Sequence, residues 1–187
     1  MTKRLLDLVC SLVASLILLP FIIFTYLLVR LSSPGPAIYW SKRVGKNNQL
    51  FWMPKFRSML IDTPAVATHL LQNSQSFLTP VGTFIRKTSL DELPQLWSIF
   101  NGDMSFVGPR PALFNQEDLI LLRTQMGIDR LTPGLTGWAQ VNGRDELDIA
   151  TKVDFDYQYL QRQTFVFDLK ILWLTFVKVI RSEGVVH

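Results

Sequence analysis

The sequence predicts an α+β, mainly helical protein with an N-terminal re-entrant membrane helix and a small globular domain at the cytosolic face. Two observations lead to this prediction: an uncharged apolar stretch from Leu8 to Val29, and a hairpin pattern followed by helical patterns after it. The 187 residues suffice for one compact domain and an appendage. We therefore divide the chain into a membrane anchor, residues 1–32, and a second domain, residues 33–187, which ends in an amphipathic helix.

The apolar stretch from Leu8 to Val29 is about 22 residues long, or about 33 Å as a helix, enough to cross a bilayer. Positive residues flank both of its ends, Lys3 and Arg4 before it and Arg30 after it. Since positive residues prefer the cytoplasmic side, a spanning helix would place one group on the wrong face. Pro20, near the middle, lacks a backbone donor and favours a kink there. These features predict a helix kinked at Pro20 that returns to the same face; a tilted, kinked transmembrane helix is the alternative.

Composition limits the partners of the chain. Its net charge is +4 and its pI is near 9.4, which suits an anionic partner such as a membrane surface, a nucleotide or a phosphate. Aromatic and basic residues do not alternate as in a base-stacking surface, and no zinc-finger or helix-turn-helix motif is present, so we expect no nucleic acid. Because Cys10 is the single cysteine, no intrachain disulfide can form. We interpret Cys10 as a packing residue.

Local patterns predict the elements of the second domain. Two prolines and a glycine after Ser33 form a rigid exit loop. Extended stretches at 37–40 and 50–53 predict a β-hairpin, and the glycine-rich stretch 132–137 is expected to lack regular structure. Helices are predicted from Leu90 to a stop at Asn101-Gly102, and over Glu117–Met126, Lys152–Gln163 and Phe165–Arg181. The last of these either lies in the membrane interface or packs on the core, and the sequence leaves both open.

Asp91 and Glu92 are the carboxylates with the densest polar surroundings. Ser89-x-x-Glu92 has the spacing of a capping box, and with Asp91 as the cap Pro94 would fall in the tolerated first turn. Either arrangement places both carboxylates at the positive end of a helix, which would keep them ionised. In isolation, capping is therefore a simpler interpretation than catalysis.

The cations around this pair favour catalysis. Arg86 precedes it and Arg110 follows it on a stiff Gly-Pro-Arg-Pro loop, while the other polar loops carry Lys55, Arg57 and Arg144. Guanidinium groups bind phosphate oxygens in two-point contacts and keep their charge. A carboxylate among several cations suits a diphosphate with Mg²⁺, and an aspartate can also attack phosphorus itself. The sequence therefore predicts a phosphate-binding site, although spacing alone does not show that these groups converge.

Four long segments resemble one protein family. They are residues 54–59, 86–96, 102–111 and 133–144, which include Asp91-Glu92, Gly-Pro-Arg-Pro and the Pro-Gly-Leu-Thr-Gly-Trp-Ala-Gln-Val-Asn-Gly-Arg run. They resemble, in order and over nearly the whole chain, the bacterial sugar transferases. These are the monotopic phosphoglycosyl transferases that begin O-antigen, capsule, exopolysaccharide and glycoprotein glycan synthesis. At this length the chain is similar to the minimal, bacillosamine-phosphate-transferase-like catalytic unit.

The resemblance implies an activity and a set of roles. A UDP-sugar and undecaprenyl phosphate would give undecaprenyl-diphosphate-sugar and UMP, with a preference for an N-acetylated amino sugar. Asp91 would be the nucleophile and a Mg²⁺ ligand, Glu92 would support it, and Arg86 and Arg110 would bind phosphate. The family also implies a re-entrant helix, a place at the cytosolic face of the bacterial inner membrane, and both termini in the cytoplasm. Downstream membrane glycosyltransferases are conceivable partners, and the oligomeric state is not predicted.

Two positions depart from the family pattern. Leu19, not serine, precedes Pro20, so the hydroxyls of Ser11 or Ser15 are expected to satisfy the freed carbonyl instead. Ser41 stands where many members have glutamine, so that glutamine's role does not transfer. Two alternatives remain at this point: direct transfer through a ternary complex with Asp91 only as metal ligand, and a non-catalytic lipid-phosphate-binding module.

Overall fold

The computed structural model describes residues 2–64, 66, 74–143 and 147–181, and these are mainly helical, as predicted. They also form two small sheets, of which the sequence predicted only the hairpin. The strands are β1 (Ile38–Val44), β2 (Leu50–Phe56), β3 (Ser105–Val107) and β4 (Gly134–Thr136). The helices are α1 (Thr2–Ser32), α2 (Gly82–Lys87), α3 (Leu96–Asn101), α4 (Glu117–Gln125), α5 (Trp138–Asn142), α6 (Ile149–Arg162) and α7 (Phe165–Arg181). Short 3₁₀ helices lie at Lys46–Asn48, Ser74–Phe77, Leu90–Gln95 and Ile128–Arg130.

The predicted hairpin is confirmed, with longer strands than expected. Strands β1 and β2 are antiparallel, in a register that runs from Ile38 opposite Phe56 to Val44 opposite Leu50. Pro54 lies inside β2 opposite Trp40. Both strands of a two-stranded sheet are edge strands, where a residue without an N–H donor is tolerated.

The prediction that residues 132–137 lack regular structure is wrong. Gly134–Thr136 forms β4, which pairs with β3 in parallel, Ser105 opposite Gly134 and Val107 opposite Thr136. A Cβ on Gly134 would lie 2.1 Å from the backbone nitrogen of Gly108. Glycine is thus what allows the two backbones to approach, and the residue type that argued against a strand is the one that permits it.

The helix predicted after Leu90 begins as a 3₁₀ helix, Leu90–Gln95, and continues as α3. Gly102, with φ of 97°, ends it as predicted. Helices α4, α6 and α7 confirm the other three helical predictions. Helix α6 begins where the Asp148 carboxylate accepts a hydrogen bond of 2.7 Å from the Thr151 backbone.

Helix α1 presents an apolar surface to its surroundings. It is long and apolar enough to cross a membrane, and only 11% of its most apolar window is buried. Leu16 and Ile17 are 65% and 67% exposed. Helix α1 runs as one continuous element through Pro20. The expected role of Ser11 and Ser15 is wrong, because their hydroxyls donate to the carbonyls of Leu8 and Ser11 and not to the carbonyl one turn before the proline.

The N-terminal end of α1 is fastened to the globular domain by charged side chains. Arg4 donates hydrogen bonds of 2.5 and 2.6 Å to the carbonyls of Ile99 and Phe100, the last turn of α3. Lys3 pairs with Asp168 of α7, and the neighbouring Asp7 accepts a hydrogen bond from the backbone of β3. The charges that the sequence places beside a membrane therefore also hold the helix to the domain.

The C-terminal end of α1 is fastened to the same domain. Val29 is fully buried in a cluster with Ala37, Phe56 and Ile85. Just beyond the helix, the Arg57 guanidinium donates to the backbone and hydroxyl oxygens of Ser33, at 3.0 and 2.8 Å. Both ends of the apolar helix thus lie against one folded body.

Helix α7 packs on the core, which is one of its two predicted arrangements, and a position in the membrane interface stays a prediction. Ile171 is fully buried against the core, whereas Val166 and Trp173 are 74% and 64% exposed. Between these faces, Asp168 is buried and accepts a hydrogen bond of 2.7 Å from the Tyr159 hydroxyl of α6. The helix therefore packs on the domain and presents an apolar face outward.

A buried ion pair joins α4 and α6. The Arg123 guanidinium donates to Asp156 Oδ2 from Nε at 3.0 Å and from Nη2 at 2.5 Å, and both side chains are buried. The remaining guanidinium nitrogen, Nη1, donates to the Arg110 carbonyl at 2.8 Å. The pair therefore also supports the Gly-Pro-Arg-Pro loop.

We expect Arg123→Met to lower the free energy of unfolding by about 3 to 5 kcal/mol, because it leaves the Asp156 charge buried without its partner. Thermal and chemical denaturation in detergent would measure the loss. The exposed Arg130→Met is the matched control and should stay within about 0.5 kcal/mol of the wild type. A similar change for both variants would contradict a structural role for the pair.

Candidate active site

Asp91 and Glu92 lie in the first turn of the 3₁₀ helix Leu90–Gln95, between α2 and α3. The chain reaches this turn through Ser89, whose φ of 55° is left-handed, a conformation that costs a non-glycine residue about 1 to 2 kcal/mol. The predicted capping box is wrong, since the Ser89 side chain makes no capping hydrogen bond. The Asp91 cap is not formed either, because Asp91 lies inside the 3₁₀ helix and Gln95 precedes α3.

Glu92 instead joins two cations from other parts of the chain. Its Oε1 accepts from Lys55 Nζ at 3.1 Å and from Arg110 Nη2 at 3.0 Å. Lys55 reaches it because β2 packs against the 3₁₀ helix, and Arg110 follows the carboxyl end of β3. The structure therefore brings together Lys55, Arg110 and the carboxylate pair, a convergence that spacing in the sequence could not show.

The Asp91 carboxyl is buried, only 9% exposed, and burial is the main cause that raises its pKa to about 6. Glu92 raises this pKa further, whereas Lys55, Arg86 and Arg110 lower it. In the part of the chain that the structure describes, no hydrogen bond or ion pair occupies its oxygens. Asp91 is thus mainly ionised at neutral pH, and its oxygens face a field set by three cations.

Burial also lowers the pKa of Lys55. Glu92 and Asp91 oppose this effect, whereas Arg110 and Arg43 add to it. The amine and the two carboxylates therefore form one electrostatically linked group.

Arg43 is a residue of the site region that the sequence argument missed. Its guanidinium donates to the Pro111 carbonyl at 3.1 Å and to the Ser41 hydroxyl at 2.9 Å. Ser41, the residue that departs from the family pattern, is buried and serves as this acceptor. Together with Arg123, Arg43 holds the loop that carries Arg110. Nothing in the sequence pairs Arg43 or Arg123 with that loop.

The remaining predicted site residues have other locations. Arg57 is buried against the exit loop, where it binds Ser33 and Pro34, so it serves there in our account as a structural residue. Arg86 lies in the last turn of α2, close enough to lower the pKa of Asp91. Arg144 lies outside the described residues.

A cavity of about 520 Å³ adjoins the site. Ser89, Glu92 and Arg110 line one side of it, and Ala14 and Leu18 of α1 line another. The other walls are the β4–α5 segment and α7, through Thr136, Gln140, Val141, Leu172, Thr175, Phe176 and Lys178. The cavity thus joins a charged end to apolar walls that include the membrane helix.

The donor set suits Mg²⁺ only together with a substrate. Among the described residues, no group of three or more His, Cys, Asp or Glu side chains could hold a metal alone. At phosphate sites, however, Mg²⁺ is commonly bound by one or two carboxylates and by the phosphates themselves. Asp91 fits this pattern, because Glu92 is engaged by Lys55 and Arg110 whereas the Asp91 oxygens are not.

The chain is similar to several known proteins. The bacterial sugar transferase family model matches residues 1–182. The undecaprenyl-phosphate galactose phosphotransferase of Salmonella typhimurium is 40% identical over 97% of this chain, and the UDP-glucose:undecaprenyl-phosphate glucose-1-phosphate transferase of Escherichia coli is 40% identical over 94%. The chain spans only 41% and 39% of these two proteins. It spans 88% of the exopolysaccharide production protein ExoY of Rhizobium meliloti, at 38% identity over 98% of this chain.

We expect the stability of the protein relative to Asp91→Asn to fall as the pH rises from about 4 to about 7. The pKa of Asp91 is raised from 3.8 to about 6 on folding, so the folded protein holds this proton more tightly than the unfolded chain. This stabilisation is fully present below about pH 4 and is lost as the pH rises through about 6; it amounts to at most about 3 kcal/mol.

Thermal midpoints of the two proteins, measured with EDTA between about pH 4 and about pH 8, give the difference directly. The matched control is Asp103→Asn, which changes an exposed carboxylate. A difference that stays constant across this range would contradict the raised pKa.

Proposed function

Since this chain belongs to the bacterial sugar transferase family, we propose that it transfers a sugar 1-phosphate from a UDP-sugar to undecaprenyl phosphate and releases UMP. The names of the Salmonella and Escherichia relatives support undecaprenyl phosphate as the acceptor. The reaction would be a first membrane step in bacterial glycoconjugate synthesis, and the name of ExoY supports exopolysaccharide as one such product.

The observation that carries the proposal is the unequal environment of the two carboxylates. Glu92 is neutralised by Lys55 and Arg110. Asp91 is buried beside the same cations without an ion-pair partner among the described residues. A buried carboxylate with poorly solvated oxygens, facing cations that can bind phosphate, is suited to attack phosphorus.

The proposed reaction has two steps. An oxygen of Asp91 bonds to the phosphorus that carries the sugar, and the bond from this phosphorus to the bridging oxygen breaks, so that UMP leaves with the electron pair. A phosphate oxygen of undecaprenyl phosphate then attacks the same phosphorus, and the bond to Asp91 breaks. The phosphate charge is stabilised by Arg86, Arg110 and Lys55. Glu92 positions Arg110 and Lys55. Mg²⁺, bound by Asp91 and the donor phosphates, would supply further charge neutralisation.

The sugar remains a separate question. The Salmonella relative is named for galactose and the Escherichia relative for glucose. Neither name favours the N-acetylated amino sugar that the resemblance suggested, so this preference stays a prediction. Transfer of the lipid-linked product to downstream membrane glycosyltransferases is part of the same proposal.

We further infer that α1 is a re-entrant helix and that the domain lies at the cytosolic face of the inner membrane, with both termini in the cytoplasm. The support is that Lys3 and Arg4 at one end, and Val29 at the other, contact the same domain. A helix that crossed the bilayer would carry one end about 30 Å away from that domain. The exposed apolar face of α7, with Trp173, suits the membrane interface.

We expect Asp91→Asn to abolish transfer and also to abolish the release of UMP in the absence of acceptor. A luminescent UMP assay over a panel of UDP-sugars, with and without undecaprenyl phosphate, measures both. Asp103→Asn, the exposed matched change, should retain activity. Single-turnover release of UMP without acceptor by the Asn variant would exclude Asp91 as the nucleophile. Full activity would exclude both the covalent route and a ternary complex that depends on Asp91.

Cysteine labelling tests the placement of α1. In a Cys10→Ser background, Thr2→Cys and Pro36→Cys place single thiols at exposed positions before and after the helix. We expect a membrane-impermeant thiol reagent to label both in inverted vesicles and neither in intact spheroplasts, because both ends are cytoplasmic. Labelling of the two positions from opposite sides would show instead that the helix spans the membrane.

A further inference from the structure

The cavity beside the carboxylate pair has a wall that the proposed chemistry leaves without a role. This wall is the segment that contains β4 and α5, and β4 is the strand paired with β3. The carboxyl ends of parallel strands meet at one edge of a sheet. The loop that carries Arg110 and the segment that begins at Gly137 therefore emerge side by side, and Arg110 and Gln140 both line the cavity.

Gln140 is the polar side chain of this wall that calls for an explanation. It is only 9% exposed, and neither its Oε1 nor its Nε2 has a hydrogen-bond partner among the described residues. A buried polar group left unpaired destabilises a protein, and native structures contain few of them. Thr136 on the same wall differs, because its hydroxyl shares a hydrogen bond of 2.7 Å with Thr175.

The backbone around Gln140 makes room for this amide. A Cβ on Gly137 would lie 2.8 Å from Gln140 Oε1 and 2.1 Å from the Gly108 carbonyl oxygen. Only glycine at this position therefore allows the amide to fold back over the turn while the turn stays against Gly108. The result is a buried donor and acceptor side by side at the cavity wall.

We propose that the Gln140 amide binds an adjacent N–H and C=O pair of the donor substrate through one accepted and one donated hydrogen bond. This inference rests on the proposed function and names a recognition residue for the same site. A UDP-sugar carries such a pair in the imide edge of uracil, and an N-acetylated sugar carries another in its acetamido group. The phosphates between them are the groups that Arg110 and Lys55 suit. Gln140 thus recognises the organic part of the donor.

The test uses the full chain and begins with the UDP-sugar that the wild type turns over. If the wild type turns over no UDP-sugar, the proposed function fails, and this result is independent of the Gln140 variants. Gln140→Met keeps the length of the side chain and removes both hydrogen-bonding atoms. Gln125→Met, on an exposed turn of α4, is the matched control. The measured quantities are kcat/KM for the UDP-sugar, the Kd for UMP and the thermal midpoint of the unliganded protein.

We expect Gln140→Met to lower kcat/KM about tenfold to hundredfold, because two hydrogen bonds to the donor are lost. The thermal midpoint of the unliganded protein should stay equal or rise, because an unpaired buried polar group is removed. If Gln140→Met lowers the affinity for UMP by the same factor as kcat/KM, uracil is the partner of the Gln140 amide. Unchanged UMP affinity, with an N-acetylated sugar as substrate, identifies the acetamido group.

Three results would overturn the proposal. They are an unchanged kcat/KM, unchanged UMP affinity when the substrate sugar lacks an acetamido group, and a lower thermal midpoint that accounts for the loss of activity. If Gln140→Met does not fold, Gln140→Leu replaces it, since it also removes both hydrogen-bonding atoms and adds no charge. The kcat/KM, the Kd for UMP and the thermal midpoint of this second variant then test the proposal in the same way.

Discussion

The two ion pairs of Glu92 are the interaction on which the candidate site depends. One carboxylate oxygen accepts from Lys55 of the hairpin and from Arg110 of the loop after β3. Three segments that are far apart in sequence thereby meet at one point. Because Glu92 neutralises part of this positive charge, the cations can lie close together beside Asp91 without excessive repulsion. Glu92 therefore organises the cations, while Asp91 remains buried and chemically available.

The membrane helix and the site are parts of one structure. Helix α1 carries an exposed apolar surface, but its charged N-terminal end and its buried C-terminal end are both fastened to the domain. Ala14 and Leu18 of the same helix line the cavity that Glu92 and Arg110 close at its polar end. The cavity therefore has a polar end suited to phosphate and an apolar wall suited to a lipid, and the proposed reaction requires both.

Patterns that depend on local chemistry were predictable from the sequence. The apolar helix, the hairpin and the glycine stop at Gly102 all follow from periodicity or turn residues, and the cations near Asp91-Glu92 in the sequence made this pair a candidate site. Features that depend on distant contacts were not. Glycine at 134 argued against a strand, although it permits the approach of β3, and Arg57 looked like a phosphate ligand, although it binds the exit loop. The raised pKa of Asp91 arises from burial, which the capping interpretation did not foresee.

The central claim is that Asp91 becomes covalently linked to the phosphosugar. Intact-mass spectrometry of the protein, mixed with a UDP-sugar and Mg²⁺ without acceptor and quenched quickly, tests it most directly. Our account predicts a mass increase of one sugar phosphate, located by peptide mapping at Asp91 and removed on addition of undecaprenyl phosphate. An active protein that never carries this adduct, or that carries it on another residue, would contradict the account.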